Sequence, residues 1–226
     1  MHAKSWFQIG STAAIFALAE AAFALPLTLT GPVANNSVGP QSASAPCVIA
    51  ATQCSQPAGF GFNNFTASGG DSAYNMYSTT PTANVADGVQ GTPYLVSQIE
   101  TVVGSVFQIA IDVNTTNAAG ETLQLFEVII NNVVAYNYIG PTPIGVIVNN
   151  GNGYADWTLG VVDLSSYANN ATVLFHAVWD HASDGGESFF LIAGSLPPTQ
   201  IPEPTTLPLL AIAMLGLGAM RRRRTV

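Results

Sequence analysis

The chain has 226 residues and a formal net charge of −8, and its charge is unevenly placed: no Lys or Arg occurs from Leu25 to Gln200, while eleven acids lie between Asp71 and Glu187. Nucleic-acid phosphates and anionic lipid headgroups are held chiefly by Lys and Arg that neutralise them, so a body of this kind excludes nucleic-acid binding. It suits divalent cations or neutral polar ligands such as sugars.

Residues 1–24 carry Lys4, run through a mostly apolar stretch and reach Ala22-Phe23-Ala24, the small-x-small pattern of a secretory cleavage site. They are expected to form a signal-peptide helix that is cut after Ala24. Removing both ends leaves about 175 residues, enough for one good hydrophobic core, and a single ectodomain is expected over 25–196.

Cys47 and Cys54 are the only cysteines. In a chain exported to an oxidising compartment, a local disulfide between them is the natural reading. Neither a C-x-x-C spacing nor a nearby histidine points to a redox or metal pair.

Between the ends, helical periodicity is nearly absent, and alternation of apolar and polar residues recurs between Gly, Asn, Asp and Pro clusters. Strands are predicted over 74–78, 94–103, 106–113, 122–130, 133–139, 154–162, 171–179 and 187–193. In the clearest of them Phe107, Ile109, Ile111 and Val113 share one face. Asn131-Asn132, a pair tolerant of positive φ, marks a hairpin tip. Short strands with a turn about every ten residues make this an all-β chain, a β-sandwich or jelly roll.

From Asn131 to Leu191 a polar hairpin tip is followed by a strand with Trp157, then Asp163-Leu164-Ser165-Ser166-Tyr167, an apolar strand ending at Trp179, and Gly185-Gly186-Glu187-Ser188-Phe189-Phe190. This order resembles the ending of jelly-roll carbohydrate-binding and galactose-binding-like modules. The resemblance implies a sandwich and sugar binding, although a shared shape does not by itself specify a ligand.

The densest polar cluster is 180–187, where Asp180, Asp184 and Glu187 with two glycines offer the oxygen donors that Ca²⁺ takes. A solvated turn explains the same residues. His181 beside them is a lone candidate for a transition metal. His176 reads as a hydrogen-bonded interior histidine, because both faces of its strand look covered. Trp157, Trp179 and Tyr154, with Tyr136 and Tyr138, could stack on sugar rings or belong to the core. Glycoside hydrolysis needs two carboxyls about 5–10 Å apart, and Glu127 and Asp156 are the pair to test. No Gly-x-Ser-x-Gly elbow occurs, and phosphate or carboxylate substrates would find no cationic partner. A noncatalytic role is expected.

The end of the chain reads Ile201-Pro202-Glu203-Pro204, then an uncharged 16-residue span over 205–220, then Arg221-Arg222-Arg223-Arg224. As a helix that span covers about 24 Å, somewhat short of a hydrocarbon core of about 30 Å, and snorkelling arginines with local thinning can close the gap. The arginines should stay cytoplasmic and place the body on the far side of the membrane.

Residues 197–226 resemble the linker and PEP-CTERM sorting signal of exosortase-processed proteins in Gram-negative, exopolysaccharide-producing bacteria. The resemblance implies that Pro202, Glu203 and Pro204 are the recognition element and that 205–220 is a transient inner-membrane anchor. Arg221, Arg222, Arg223 and Arg224 would be the stop signal, exosortase the processing partner, and the cell surface or extracellular matrix the destination. Ile201 departs from the usual Val. A sortase signal would need glycine where Gln200 follows Leu196-Pro197-Pro198-Thr199, and a lipid-anchor signal would need an apolar end. An uncleaved tail anchor stays open. The expected function is an exported noncatalytic surface or matrix protein associated with exopolysaccharide. A Ca²⁺-dependent carbohydrate-binding module and a carboxylate-based polysaccharide hydrolase are the alternatives.

Overall fold

Alternating apolar residues build two β-sheets that close over one core. The protein is seen in a computed structural model that describes residues 23–50, 59–61, 70–78, 88–114, 121–145, 151–180 and 187–194. In chain order the early elements are β1 (Leu25–Pro26), β2 (Leu29–Thr30), β3 (Cys47–Ile49), β4 (Gly59–Gly61), β5 (Gly70–Tyr74), β6 (Met76–Ser78), β7 (Tyr94–Leu95) and α1 (Val96–Val103). The long strands follow: β8 (Val106–Asp112), β9 (Thr122–Ile130), β10 (Val133–Pro143), β11 (Trp157–Asp163), β12 (Thr172–Asp180) and β13 (Ser188–Ala193).

The first sheet runs β1-β10-β9-β12-β5, with β7 also on β12, and the second runs β2-β11-β8-β13-β3. A small β4-β6 pair forms a third sheet, whose Phe60 packs into the core against Tyr94. All neighbours are antiparallel except β1, which lies parallel to β10 with Leu25 opposite Tyr136. The β9-β10 hairpin turns at Asn131 and Asn132, with φ of 50° and 64°. Both values lie in the left-handed region that asparagine tolerates better than most residues. That turn and the all-β class agree with the sequence reading.

Aromatic rings span the two sheets. Phe126 of β9 stacks on Phe189 of β13 with ring centroids 5.3 Å apart, and Phe107 of β8 meets Phe175 of β12 edge-on at 6.2 Å. Such pairs add about 0.5–1.5 kcal/mol beyond the area they bury. Inward positions follow the two-residue period: Phe107, Ile109 and Ile111 on β8, and Val173, Phe175, Ala177 and Trp179 on β12, all fully buried.

The outer face of the second sheet is also covered. Ala45, Cys47 and Ala50 pack with Ala110, Ala155 and Phe190 into a second apolar cluster, with Val33, Val38 and Ile192 against it. The segment between β2 and β3 therefore forms a partial third layer, and it puts Asp112, an outward position on β8, under cover.

Two predicted strands are corrected. Residues 94–103 give only the two-residue β7, after which the chain turns into α1. The helix buries Val96, Ile99 and Val103, positions i, i+3 and i+7, which lie on one face of a 3.6-residue helix. The Leu95 N–H donates to Gln98 Oε1 at 2.7 Å at its start, and Gly104 ends it at φ 83°. The expected 74–78 strand is two short strands, β5 and β6, separated by Asn75, whose side chain accepts from the Phe175 N–H and donates to the Thr92 carbonyl.

Gly140 sits on β10 between Ile139 and Thr142, where the register with β9 shifts. A Cβ there would land on the Leu123 carbonyl oxygen. Backbone atoms cannot step aside as a flexible side chain can, so Gly140→Ala is expected to cost about 2–3 kcal/mol. Urea denaturation reads that loss, and an unchanged midpoint would contradict the placement.

Among the described residues no helix is long and apolar enough to cross a membrane. The expected signal segment up to residue 22 and the apolar span 205–220 lie outside the described residues.

Candidate functional site

Two glutamates share the core-facing side of the strands. Glu187 lies two residues before Phe189 and four before Leu191, and Glu121 two before Leu123; all three apolar residues are inward and fully buried. Side chains two apart in a strand point the same way, so each carboxylate enters the space between the sheets, one from each sheet, at one end of the core. Both are buried, at 1% exposure for Glu121 and 0% for Glu187.

Local hydrogen bonds fix them. The Asn114 N–H, just past β8, donates to Glu187 Oε2 at 2.6 Å. The Ile144 N–H donates to the Glu121 main-chain carbonyl at 2.9 Å, closing the end of the sheet beside it. Glu187 Oε1 is buried with no hydrogen-bond partner among the described residues. Burial raises the Glu187 pKa well above the ordinary carboxylate value, and contact with the Glu121 carboxyl and repulsion from Asp112 raise it further against the Asn114 N–H.

A second acid pair flanks the first. Asp156 immediately precedes Trp157, which pairs with Ile111, so Asp156 and Asp112 stand opposite each other across β11 and β8. Asp156 Oδ2 accepts the Val113 N–H at 3.0 Å, and Asp112 Oδ2 accepts from Gln41 Nε2 at 3.0 Å and the Gly153 N–H at 2.9 Å. Asp112 Oδ1 is buried and has no hydrogen-bond partner among the described residues. Burial pushes the Asp112 pKa up to about 7, and repulsion from Asp156 adds to the rise, while the Gly153, Gly151 and Gln41 hydrogen bonds oppose it.

Of the residues expected to bind Ca²⁺, Asp180 and Glu187 are described and make separate contacts. Asp180 Oδ2 accepts from Gln124 Nε2 at 2.7 Å on the first sheet, whereas Glu187 turns to Glu121 and Asn114. Asp184 and His181 lie outside the described residues. Among the described residues no group of three His, Cys, Asp or Glu side chains stands ready to hold a metal ion.

The three stacking candidates separate. Trp179 is corrected to a core residue: it is fully buried on the inward face of β12, 5.9 Å from the Phe189 ring, and offers no face to a sugar. Trp157 is half-buried, donates from Nε1 to the Ile144 carbonyl at 3.0 Å, and lines a groove of about 470 Å³ with Leu27, Leu29, Tyr138 and Ile139. Tyr154 is half-buried and lies away from that lining, its N–H on Asn152 Oδ1.

His176 is buried, as the pattern of its strand suggests. Its ring lies flat on Tyr74 at 4.0 Å, with Nδ1 2.9 Å from Glu127 Oε2 and Nε2 3.0 Å from Ser72 Oγ. Glu127 is therefore paired on the first sheet, while Asp156 serves the second; the structure does not bring these two together as a catalytic pair. Asp163-Leu164-Ser165-Ser166-Tyr167 is a turn, with Asp163 Oδ1 accepting the Ser165 N–H at 2.8 Å and the Tyr136 hydroxyl donating to the Asp163 carbonyl.

Cys47 is fully buried, no free cysteine occurs among the described residues, and Cys54 lies outside them. Pro202, Glu203, Pro204 and Arg221 to Arg224 also lie outside them.

Glu121 and Asp112 escaped the sequence reading. The two-residue period could have found Glu121, by counting back from Leu123. No local signal marks Asp112 as buried, because its cover comes from residues about 60–80 positions earlier in the chain.

No curated protein and no solved structure matches the chain. Residues 200–224 match the PEP-CTERM protein-sorting motif, so the chain carries the signal of exosortase-processed, exported proteins.

Proposed function

We propose that the protein is a noncatalytic component of the cell surface or extracellular matrix of a Gram-negative bacterium, associated there with exopolysaccharide. The observation that carries this reading is the sorting motif at 200–224. The body supports it by its chemistry: a shell without Lys or Arg resists adhesion to anionic lipid and nucleic acid on the way out. In this reading residues 1–24 are a signal peptide, and cleavage after Ala24 leaves β1 whole, since that strand begins at Leu25. The two sheets then form a single jelly-roll-like ectodomain, which the 205–220 span anchors transiently in the inner membrane. A Cys47–Cys54 bridge would add about 2–3 kcal/mol by closing a short loop.

Intact-mass spectrometry of the extracellular protein tests this. A chain lacking residues 1–24 and the arginine tail is expected, two hydrogens lighter than its reduced form. Replacing Pro202, Glu203 and Pro204 by alanine should leave the tail attached and the protein in the membrane fraction. Recovery of extracellular protein that still ends in Arg221-Arg222-Arg223-Arg224-Thr225-Val226 would overturn processing.

A second reading, a module for neutral polysaccharide, is favoured by the half-buried Trp157 in its groove beside Tyr138. An indole face partly open to water can stack on the apolar face of a sugar ring. A glycan array in which Trp157→Ala removes all retained sugars would support it, and an array blank with the unmutated protein would remove it. The hydrolase alternative would appear as reducing ends released from the native polymer.

A further inference from the structure

We propose that Ser72 is a nucleophilic site that takes an acyl group from an uncharged ester, with His176 as its base and Glu127 holding that base in place. This goes beyond the sorting reading and does not depend on it: a single acyl group per chain is a modification of a surface protein, not turnover.

The three residues stand side by side on one face of the first sheet. Ala73 on β5, Phe126 and Val128 on β9, and Phe175 and Ala177 on β12 are inward and buried, so their chain neighbours Ser72, Glu127 and His176 point outward. His176 lies opposite Glu127 on one side and opposite Tyr74 on the other, and Ser72 comes two residues before Tyr74 on the same face. Strand register, not a loop, therefore sets their spacing. His176 Nδ1 is 2.9 Å from Glu127 Oε2 and Nε2 is 3.0 Å from Ser72 Oγ, while Tyr74 stacks on the ring at 4.0 Å with the planes 4° apart and fixes its orientation.

The carboxylate decides where the protons sit. An acceptor on Nδ1 keeps the proton of the neutral imidazole there and leaves a lone pair on Nε2, so the Ser72 hydroxyl is the donor to Nε2. A hydroxyl whose proton points at a base, with the base oriented by a third group, is the arrangement that activates a nucleophile on unrelated folds. Ser72 is half-buried on the end strand of its sheet and the Glu127 side chain is 20% exposed, so a small ester can reach the hydroxyl. The body has no Lys or Arg to hold a phosphate or carboxylate, which selects an uncharged acyl group on a neutral alcohol. Ser72 Oγ bonds to the acyl carbon as its proton passes to His176 Nε2; the ester C–O bond then breaks, and the departing alcohol takes that proton. Acyl-Ser72 and a free alcohol result. The His176 side chain is only 10% exposed and is flanked by Tyr74, which leaves water poorly placed to use the same base, so the new ester persists.

The test uses the secreted protein as recovered, at pH 7.5, with two small uncharged probes: an alkyl fluorophosphonate and p-nitrophenyl acetate. The first should leave an adduct that peptide mapping places on Ser72, and the second should release a burst of about one nitrophenolate per chain. Ser72→Ala should abolish both reactions, and His176→Gln and Glu127→Gln should each slow the burst about 100-fold or more. Asp180→Asn, also on β12 but out of contact with His176, should keep it. A purely structural hydrogen-bond chain predicts neither adduct nor burst, so folded, unmutated protein that gives neither overturns the proposal. An adduct on another serine, or a burst at full rate in His176→Gln, overturns it as well. Release that depends on Ser72 but runs on past one per chain overturns the single-turnover claim and, with it, the noncatalytic reading of the protein, while leaving the sorting motif untouched.

Discussion

Phe175→Ala is expected to cost about 3–5 kcal/mol, a large part of the 5–15 kcal/mol by which domains of this kind are usually stable. Phe175 is fully buried at the centre of the aromatic core. Its ring lies 6.1 Å from Tyr94, 6.2 Å from Phe107 and 6.4 Å from Phe126, so it touches β7, β8 and β9 from its own strand β12. Truncation removes the apolar area of one ring and leaves a cavity that several rigid aromatic neighbours cannot jointly fill. The Phe175 N–H bond to Asn75 is made by the backbone and survives the change, so the loss reports packing alone. Urea unfolding should show a lower midpoint with an unchanged slope. Val133→Ala, at a site 52% exposed beyond the hairpin tip, should stay within about 0.5 kcal/mol. Equal effects from the two would mean that the aromatic cluster is not the core.

The long strands were legible because apolar residues recur at every second position over most of their length. On β8 every second residue from Phe107 is apolar and buried, and on β12 the same holds from Val173. The hairpin was legible from Asn131-Asn132, a chemical signal for positive φ that needs no tertiary context. The helix α1 was not. Its residues Val96, Thr101, Val102 and Val103 are β-branched and favour a strand, and its three inward residues occupy barely two turns. Packing of Val96, Ile99 and Val103 into the core outweighs that preference, a tertiary effect invisible in a short window. The edge strands β1, β2 and β3 have two or three residues each, too few for any period to show.

Site residues divide along the same line. Trp179 and His176 could be placed from the faces of β12, and those faces put Trp179 inside, against its use as a sugar platform. The sequence groups Glu187 with the acids of the adjacent loop, because composition shows clusters along the chain and not across a sheet. Its neighbours in space are Glu121 and Asn114, 66 and 73 positions earlier in the sequence. Asp112 was hidden for another reason. Its outward parity on β8 suggests solvent, and the 33–50 segment together with Gly151 and Gly153 covers it.

That cover leads to the second large effect: the protein should lose stability as pH rises from 5 to 8, and Asp112→Asn should reduce the loss, the remainder coming from the buried Glu187. In the folded state burial holds the Asp112 pKa up at about 7, while in the unfolded chain it returns to about 3.9. The folded protein thus binds more protons than the unfolded one through this window, and stability falls with rising pH. The contribution is complete below about pH 4 and gone once pH passes about 7. A difference of about three pKa units at about 1.4 kcal/mol each corresponds to about 4 kcal/mol in all, of which about 2.6 kcal/mol, or about 5–10 °C in Tm for a domain of this size, falls between pH 5 and 8. Asparagine keeps an acceptor for Gln41 and the Gly153 N–H, cannot ionise, and removes the repulsion between residue 112 and Asp156. The variant should therefore melt above the unmutated protein at pH 8 and close to it at pH 5. Thermal unfolding at half-unit pH steps measures both curves. If the unmutated protein instead gains stability between pH 5 and 8, or Asp112→Asn leaves the slope as steep as before, Asp112 is ionised in the fold, and the segment between β2 and β3 does not shield it from water.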